Sequence, residues 1–317
     1  MTVSNQDEKF VQLAHMIAPQ GKLRRTWQLS GGISASMTAL EIEQADGQVS
    51  RLIIRQPSAT TLQRNPHAAE QEYVLLRLMR AAGLATPTPY YLDQSGAIFR
   101  APYLAIEYVE GRPEFAFADM AGSMRQLARQ LAQIHSVDCA TLDLSFLPRP
   151  AAGFADRFGN RPAQPDRSLE EGRIRDTLEA AWPFPQRNAP ALLHGDYWPG
   201  NILWRDAQLA AVIDWEDATV GDPLIDFAIS RLDLLWIFGA EAMHNFTQQY
   251  QSLMEIDYGN LPYWDLCAAL RLIRLAGADL TAWAAFFEPF GRPDITEQSI
   301  RAHYRWFIAQ AFEVLAH

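Results

Sequence analysis

The sequence predicts an α+β chain in two parts: a strand-rich first lobe over 1–110 and a larger, mainly helical second lobe over 111–317. Three observations carry this. Up to residue 110, short apolar runs alternate with glycine-bearing turns. From residue 119 onward, apolar residues recur at helical spacing over most of the chain. Between the two regimes, Glu110-Gly-Arg-Pro113 interrupts an apolar strand at the point where the period changes. A chain of 317 residues is long enough for two cores of ordinary size.

The first lobe opens with an amphipathic segment over 6–18, which carries Phe10, Val11, Leu13, Ala14 and Ile17 and reads as a helix. Strand 23–29, the loop Ser30-Gly-Gly-Ile-Ser-Ala-Ser36 and strand 37–43 follow as a glycine-rich hairpin. Its backbone N–H groups and the hydroxyls of Ser34 and Ser36 could face phosphate oxygens, although Gly-Gly is also an ordinary hairpin turn. A second turn at Ala45-Asp-Gly-Gln48 leads into strand 49–55, which ends on Arg55. Asn65-Pro66 starts a helix running to about residue 82. On it Glu72 shares a face with Leu75, Leu76 and Met79, so its carboxylate points inward and needs a cation; Arg55 is the obvious partner. The apolar strand 101–109 closes the lobe.

In the second lobe, Asp119 caps a helix reaching His135, with Met120, Met124, Leu127, Leu131 and Ile134 on its stripe. His135 is placed to complement the dipole at that helix's end. Residues 147–165 read as loop and 169–181 as a surface helix. Asp222 caps, and Pro223 opens, the next helix. Helical spacing then runs to the end, loaded with Trp236, Phe238, Trp264, Trp283, Phe286, Phe287 and Trp306, which are core by default.

The chemistry is concentrated in Ala191-Leu-Leu-His-Gly-Asp-Tyr-Trp-Pro-Gly-Asn-Ile-Leu-Trp and the following Leu209-Ala-Ala-Val-Ile-Asp214. Two apolar runs around Arg205-Asp206-Ala207-Gln208 form a β-hairpin. If it is symmetric about residues 207 and 208, Asn201 falls opposite Asp214, with Asp196 on the loop entering it. Two carboxylates and an amide oxygen suit a hard cation such as Mg²⁺. Any one of these residues alone is an ordinary turn former; the three together at this spacing are not.

Composition narrows the classes. Net charge is −10, with 17 acidic against 7 basic residues over 191–317 and balance before that. Such a surface argues against nucleic acid and fits a metal, or a cationic ligand, in the second lobe. The N-terminus has no apolar core of a secretory signal, and the most apolar stretch, 267–290, is broken by Arg271, Arg274, Asp279 and Glu288. No membrane partner is expected. Cys139 and Cys267 sit in no metal or redox spacing and read as small core residues of a cytoplasmic protein.

The order of parts resembles a protein-kinase-like bilobal fold, and the variant is similar to the aminoglycoside phosphotransferase and choline kinase-like family of small-molecule kinases. The residues that carry the likeness are His194-Gly-Asp-Tyr-Trp-Pro-Gly-Asn201, Ile213-Asp-Trp-Glu-Asp217, Gly221-Asp-Pro223 and Asp226, with Pro87 and Tyr103-Leu-Ala-Ile-Glu-Tyr-Val-Glu-Gly111 in the first lobe. It covers roughly residues 25–235. The resemblance implies that Asp196 accepts or orients the proton of an acceptor hydroxyl, and that Asn201 and Asp214 hold Mg²⁺. Gly32 and Ser34 would lie near the phosphates of ATP, with GTP as the alternative nucleotide. Glu107, Tyr108 and Val109 would offer the backbone edge for the base. Arg55 would stand where kinases place Lys, paired with Glu72; a forked guanidinium is not equivalent to that point charge. Gly195 stands where many protein kinases have Arg, and only residues 215–220 separate Asp214 from Gly221-Asp-Pro223. That is too short for an activation loop, so the implied acceptor is small: an amino alcohol, a sugar or glycated amine, or an aminoglycoside. The competing reading is a silent nucleotide-binding pseudokinase or ligand sensor.

Overall fold

The computed structural model describes residues 5–29, 34–149, 160–277 and 279–317. It divides into two compact units: Met1–Glu110 together with Ala211–Glu216, and Gly111–Ala210 together with Asp217–His317.

The first unit is built on a five-stranded antiparallel sheet of order β1-β2-β3-β5-β4, made of β1 (Lys22–Gln28), β2 (Ala35–Glu43), β3 (Val49–Pro57), β4 (Pro89–Asp93) and β5 (Tyr103–Glu107). Helix α1 (Asn5–Ile17) buries Phe10, Leu13 and Ala14 in a core with Leu40, Ile42, Ile54, Phe99 and Tyr103. Helix α3 (Ala68–Ala81) buries Ala69, Leu75, Leu76 and Met79. Arg55 lies opposite Met37 on one side and Leu104 on the other, so it projects from the middle of the sheet.

Two short elements were not expected. Helix α2 (Ala59–Arg64) is capped by Ser58, whose Oγ accepts the Thr61 N–H. Asn65, read as a helix start, instead closes α2 through its N–H on Thr61 O and turns the chain by accepting the His67 N–H on Oδ1. The strand β4 opens on a proline and is too short to show a period.

In the second unit, helices α4 (Met120–His135), α5 (Glu171–Ala181), α6 (Leu224–Phe238), α7 (Ala240–Leu253), α8 (Leu261–Ala276), α9 (Thr281–Phe286) and α10 (Glu297–Leu315) surround short strands. The strands are β6 (Ala191–Leu193), which pairs with β9 (Thr219–Gly221), and β7 (Ile202–Arg205), which pairs with β8 (Gln208–Val212). Helix α6 is buried on almost every face and packs against α7, α8 and α10. A helix apolar all round is a core helix, and any polar side chain on it must find a partner. The expected caps are present: Asp119 Oδ1 accepts the Gly122 N–H, and Asp222 Oδ1 accepts the Leu224 N–H. Cys139 and Cys267 are half-buried rather than deep core. Among the described residues no helix is long and apolar enough to cross a membrane.

Candidate active site

The loop leaving β6 carries Asp196, and its shape is set by one buried carboxylate behind it. Asp226, fully buried on α6, accepts the His194 N–H on Oδ2 at 2.6 Å and the Gly195 N–H on Oδ1 at 3.0 Å. Burial pushes its carboxyl up, but the bond and charge of His135, then His194, outweigh this and hold it below the usual carboxylate range. Gly195 has φ +84, and a Cβ there would come 2.1 Å from Asp217 O. Only glycine makes that turn without moving the chain. The Asp196 N–H then donates to His194 Nδ1 at 3.2 Å. Ser230 Oγ donates to Tyr197 O at 2.8 Å, and Tyr197 Oη donates to Leu127 O at 2.9 Å. The loop is thus fixed from α6 and α4 together.

The Asp196 side chain is held at both oxygens. Asn201 Nδ2 donates to Oδ2 at 3.0 Å and to the Asp196 carbonyl at 2.9 Å, and Arg271 Nη2 donates to Oδ1 from α8. Both N–H groups of the amide therefore serve Asp196, and Asn201 Oδ1 is the oxygen it offers elsewhere. Arg271 had no place in the sequence reading. Its signal was a charge interrupting the apolar run of 267–290. Further along α6, the buried Asp233 accepts from Trp236 Nε1 at 3.0 Å. Burial pushes its carboxyl up to about 7; the charge of Arg271 opposes this and that of Asp196 adds to it.

The first unit gathers a second cluster around Arg55. Its Nε donates to Glu72 Oε2 at 2.9 Å, and its Nη2 to Asp214 Oδ1 at 3.2 Å and Glu216 Oε2 at 2.9 Å. The Glu72 pairing follows the helical-face expectation; Glu216 is an addition that sequence spacing did not single out. The Arg55 side chain is 6% exposed. Burial lowers its affinity for the proton, but Glu72, Asp214 and Glu216 outweigh burial and raise it above the ordinary guanidinium value. Burial likewise pushes the Glu72 carboxyl up, and Arg55 offsets only part of that. Asp214 has φ +65, a left-handed conformation that costs a non-glycine residue energy and recurs at functional sites.

Other expectations fall as follows. Gly32 lies outside the described residues. Ser34 is described; its carbonyl accepts the Ser58 N–H at 2.6 Å and Thr61 Oγ1 at 2.9 Å, which anchors the end of the glycine-rich loop to α2. Glu107 donates its N–H to Thr88 O at 2.8 Å and accepts from Thr88 Oγ1 at 2.6 Å, while the Tyr108 N–H reaches Arg51 O at 3.4 Å. The β7–β8 hairpin turns at Asp206 and Ala207, both left-handed (φ 51 and φ 60). Its symmetry point therefore lies one residue earlier than supposed, and the counting that set Asn201 opposite Asp214 does not hold. His135 is a correction as well. It is buried, bonds Tyr250 Oη through Nδ1 at 2.6 Å and Asp226 through Nε2 at 3.4 Å, and supports the loop rather than only a helix end. Trp215–Asp217 forms one 3₁₀ turn before β9.

The profile of the phosphotransferase enzyme family (APH) matches residues 27–265, more than half of the chain. The chain belongs to this family. Its fold is that of solved family members. An aminoglycoside phosphotransferase of the 2″-IIIa type, in complex with GDP and kanamycin, superposes with a TM-score of 0.63 at 16% identity, covering 97% of each chain. A type I macrolide 2′-phosphotransferase gives 0.62 at 19%, covering 97% of this chain and 99% of the other. Among curated relatives, acyl-CoA dehydrogenase family member 10 of Mus musculus is 28% identical over 207 residues, 60% of this chain and 19% of its own length. Family member 11 of Rattus norvegicus is 25% identical over 264 residues, 71% of this chain and 32% of its length. The phosphotransferase chain thus spans a third or less of these two relatives. A homoserine kinase of Rhizobium etli (strain CIAT 652) is 28% identical over 224 residues, 62% of this chain and 65% of that one.

Proposed function

We propose that this phosphotransferase moves the γ-phosphoryl group of ATP, or of GTP, to a hydroxyl group of a small molecule. The observation that carries the reading is Asp196: a half-exposed carboxylate on a loop clamped from behind, fixed by Asn201 and by a buried Asp226. Phosphoryl transfer asks mainly for positioning and charge neutralisation, and this loop is built for positioning.

In the proposed reaction the acceptor oxygen forms a bond to the γ-phosphorus while the bond to the β,γ-bridging oxygen breaks. The hydroxyl proton passes to an Asp196 oxygen, and the nucleoside diphosphate leaves with the bridging oxygen. Arg55, anchored by Glu72, presents a fixed positive charge to phosphate oxygens. Because Glu107 and Tyr108 already use their N–H groups within the sheet, Val109 is the residue whose N–H the nucleobase edge needs. Ser34, with Gly32, belongs at the phosphate end. Asn201 and Asp214 are the proposed Mg²⁺ ligands. The donor chemistry fits: Asn201 has both N–H groups turned to Asp196, leaving it an oxygen for a hard cation, and Asp214 is a carboxylate 32% exposed. When bound, Mg²⁺ would neutralise phosphate charge.

The names of relatives and neighbours point to kanamycin, to macrolides and to homoserine, so they do not choose the acceptor. The test is ADP release by the purified chain with ATP and Mg²⁺ across amino alcohols, sugars, glycated amines, hydroxy acids and aminoglycosides, with the product's gain of a phosphoryl group read by mass. ADP and phosphorylated acceptor in equal amounts are expected. Thermal stabilisation by ATP–Mg²⁺ with turnover of no acceptor would favour the silent nucleotide-binding reading.

A further inference from the structure

We propose that the acceptor carries an acidic group near its hydroxyl, and that Arg271 is the residue that recognises it. This rests on the phosphotransferase reading, and every residue it uses lies in the second unit. Arg271 comes from α8 to the very carboxylate assigned to the acceptor hydroxyl. Its side chain is 29% exposed and that of Asp196 27%. An ion pair this open is worth only about 0–1 kcal/mol, so an incoming anion can share or displace it. A guanidinium has five N–H donors in a planar fork, which suits carboxylate and phosphate oxygens. One of these donors is turned on Asp196, and the fork is large enough to hold a second anion beside it.

The same geometry works against a polycation. An ammonium-rich acceptor reaching Asp196 would meet the Arg271 guanidinium beside the reacting group, and like charges brought together discriminate against a ligand. Burial pushes the carboxyl of Asp233 up to about 7, so near neutrality it carries only part of a negative charge toward Arg271. An aromatic cluster begins close by in the chain. Trp198, two residues beyond Asp196, lies 6.1 Å from the Phe115 ring and 6.0 Å from that of Phe286. A short apolar body with a hydroxyl and an acidic group fits this combination better than a sugar bearing amines.

The test uses the full chain with ATP–Mg²⁺ and matched acceptors: hydroxy carboxylic acids, sugar phosphates, the amides of the same hydroxy acids, and amino alcohols. The expected result is turnover of one of the acidic arms with kcat/KM about 5-fold or more above its uncharged or amine counterpart, the upper end for one open charge contact. Arg271→Ala then removes most of that preference, chiefly through KM, and Arg271→Lys restores part of it. If Arg271→Ala fails to fold, Arg271→Gln carries the comparison. Preference for amines or amides in the native chain, or an unchanged acid-to-amide ratio in a folded variant, overturns this inference and leaves the kinase reading standing. Turnover of no acceptor in any arm, with ATP–Mg²⁺ bound, removes that reading and this one with it.

Discussion

Of the arginines that meet carboxylates in this chain, Arg55 in the first unit and Arg271 in the second do so under opposite conditions. Arg55 rises from the middle of a sheet, is 6% exposed and bonds Glu72, Asp214 and Glu216. Arg271, on α8, is 29% exposed and, among the described residues, pairs with Asp196. Buried charges must be matched, because an unpaired one costs several kcal/mol; open pairs are exchangeable because water competes for both members. The first arrangement therefore reads as fixed machinery and the second as a contact that a ligand can take over.

Asp226 shows that burial, not the unit, decides this. It is a fully buried carboxylate in the second unit serving two backbone N–H groups and His135. Asp226→Ala should cost the most, about 4–5 kcal/mol, because it leaves three buried polar groups unpaired; urea unfolding measures this. Arg55→Ala comes next, at about 3–4 kcal/mol, since Glu72 is left buried without its cation. Arg55→Lys should recover roughly half by keeping the charge and losing the fork. A loss under about 1 kcal/mol for Arg55→Ala, the range of an exposed pair, would break the comparison.

Asp233 gives a smaller, pH-dependent effect. Burial pushes its carboxyl up to about 7, so between the unfolded value near 4 and that point the folded chain holds a proton the unfolded chain has released. Stability therefore falls as pH rises across this window and stays lower above it. Asp233→Asn keeps an acceptor for Trp236 Nε1 and removes the penalty. Its advantage over the native chain should grow by about 2–4 kcal/mol from pH 4 to pH 8 in thermal or urea unfolding. A constant offset would show that Asp233 ionises normally. The smallest effect belongs to Arg271→Ala, whose stability should stay within about 1 kcal/mol of the native chain.

What could be read from the sequence divides along the same physical line. Asp196, Asn201 and Asp214 stand out because hard oxygens at that spacing interrupt an apolar frame. Glu72 stands out because a 3.6-residue period places it among Leu75, Leu76 and Met79. The strands β1, β2, β3 and β5 and most helices follow from alternation and periodicity. By contrast, α2 and β4 are too short to show a period, and Asn65 serves as well to end one helix as to start another. The hairpin turn was misplaced by one residue because left-handed Asp206 and Ala207 carry no glycine to mark them. Glu216, Arg271 and Asp233 acquire their meaning from tertiary neighbours: each is an ordinary charged residue until the fold sets it beside Arg55 or Asp196. The buried partners of His135 stay hidden for the same reason, since a helix-end histidine looks alike whether solvent or Asp226 faces it.

Whether Asp196 serves phosphoryl transfer is decided by the Asp196→Asn variant. The native chain and the variant are compared for stabilisation by ATP–Mg²⁺ and for phosphorylation of a responsive acceptor. The expected result is unchanged nucleotide binding with kcat lowered about 10²–10⁴-fold, the usual worth of a positioned general base. A variant that binds nucleotide and retains full turnover would show that Asp196 does not take the hydroxyl proton.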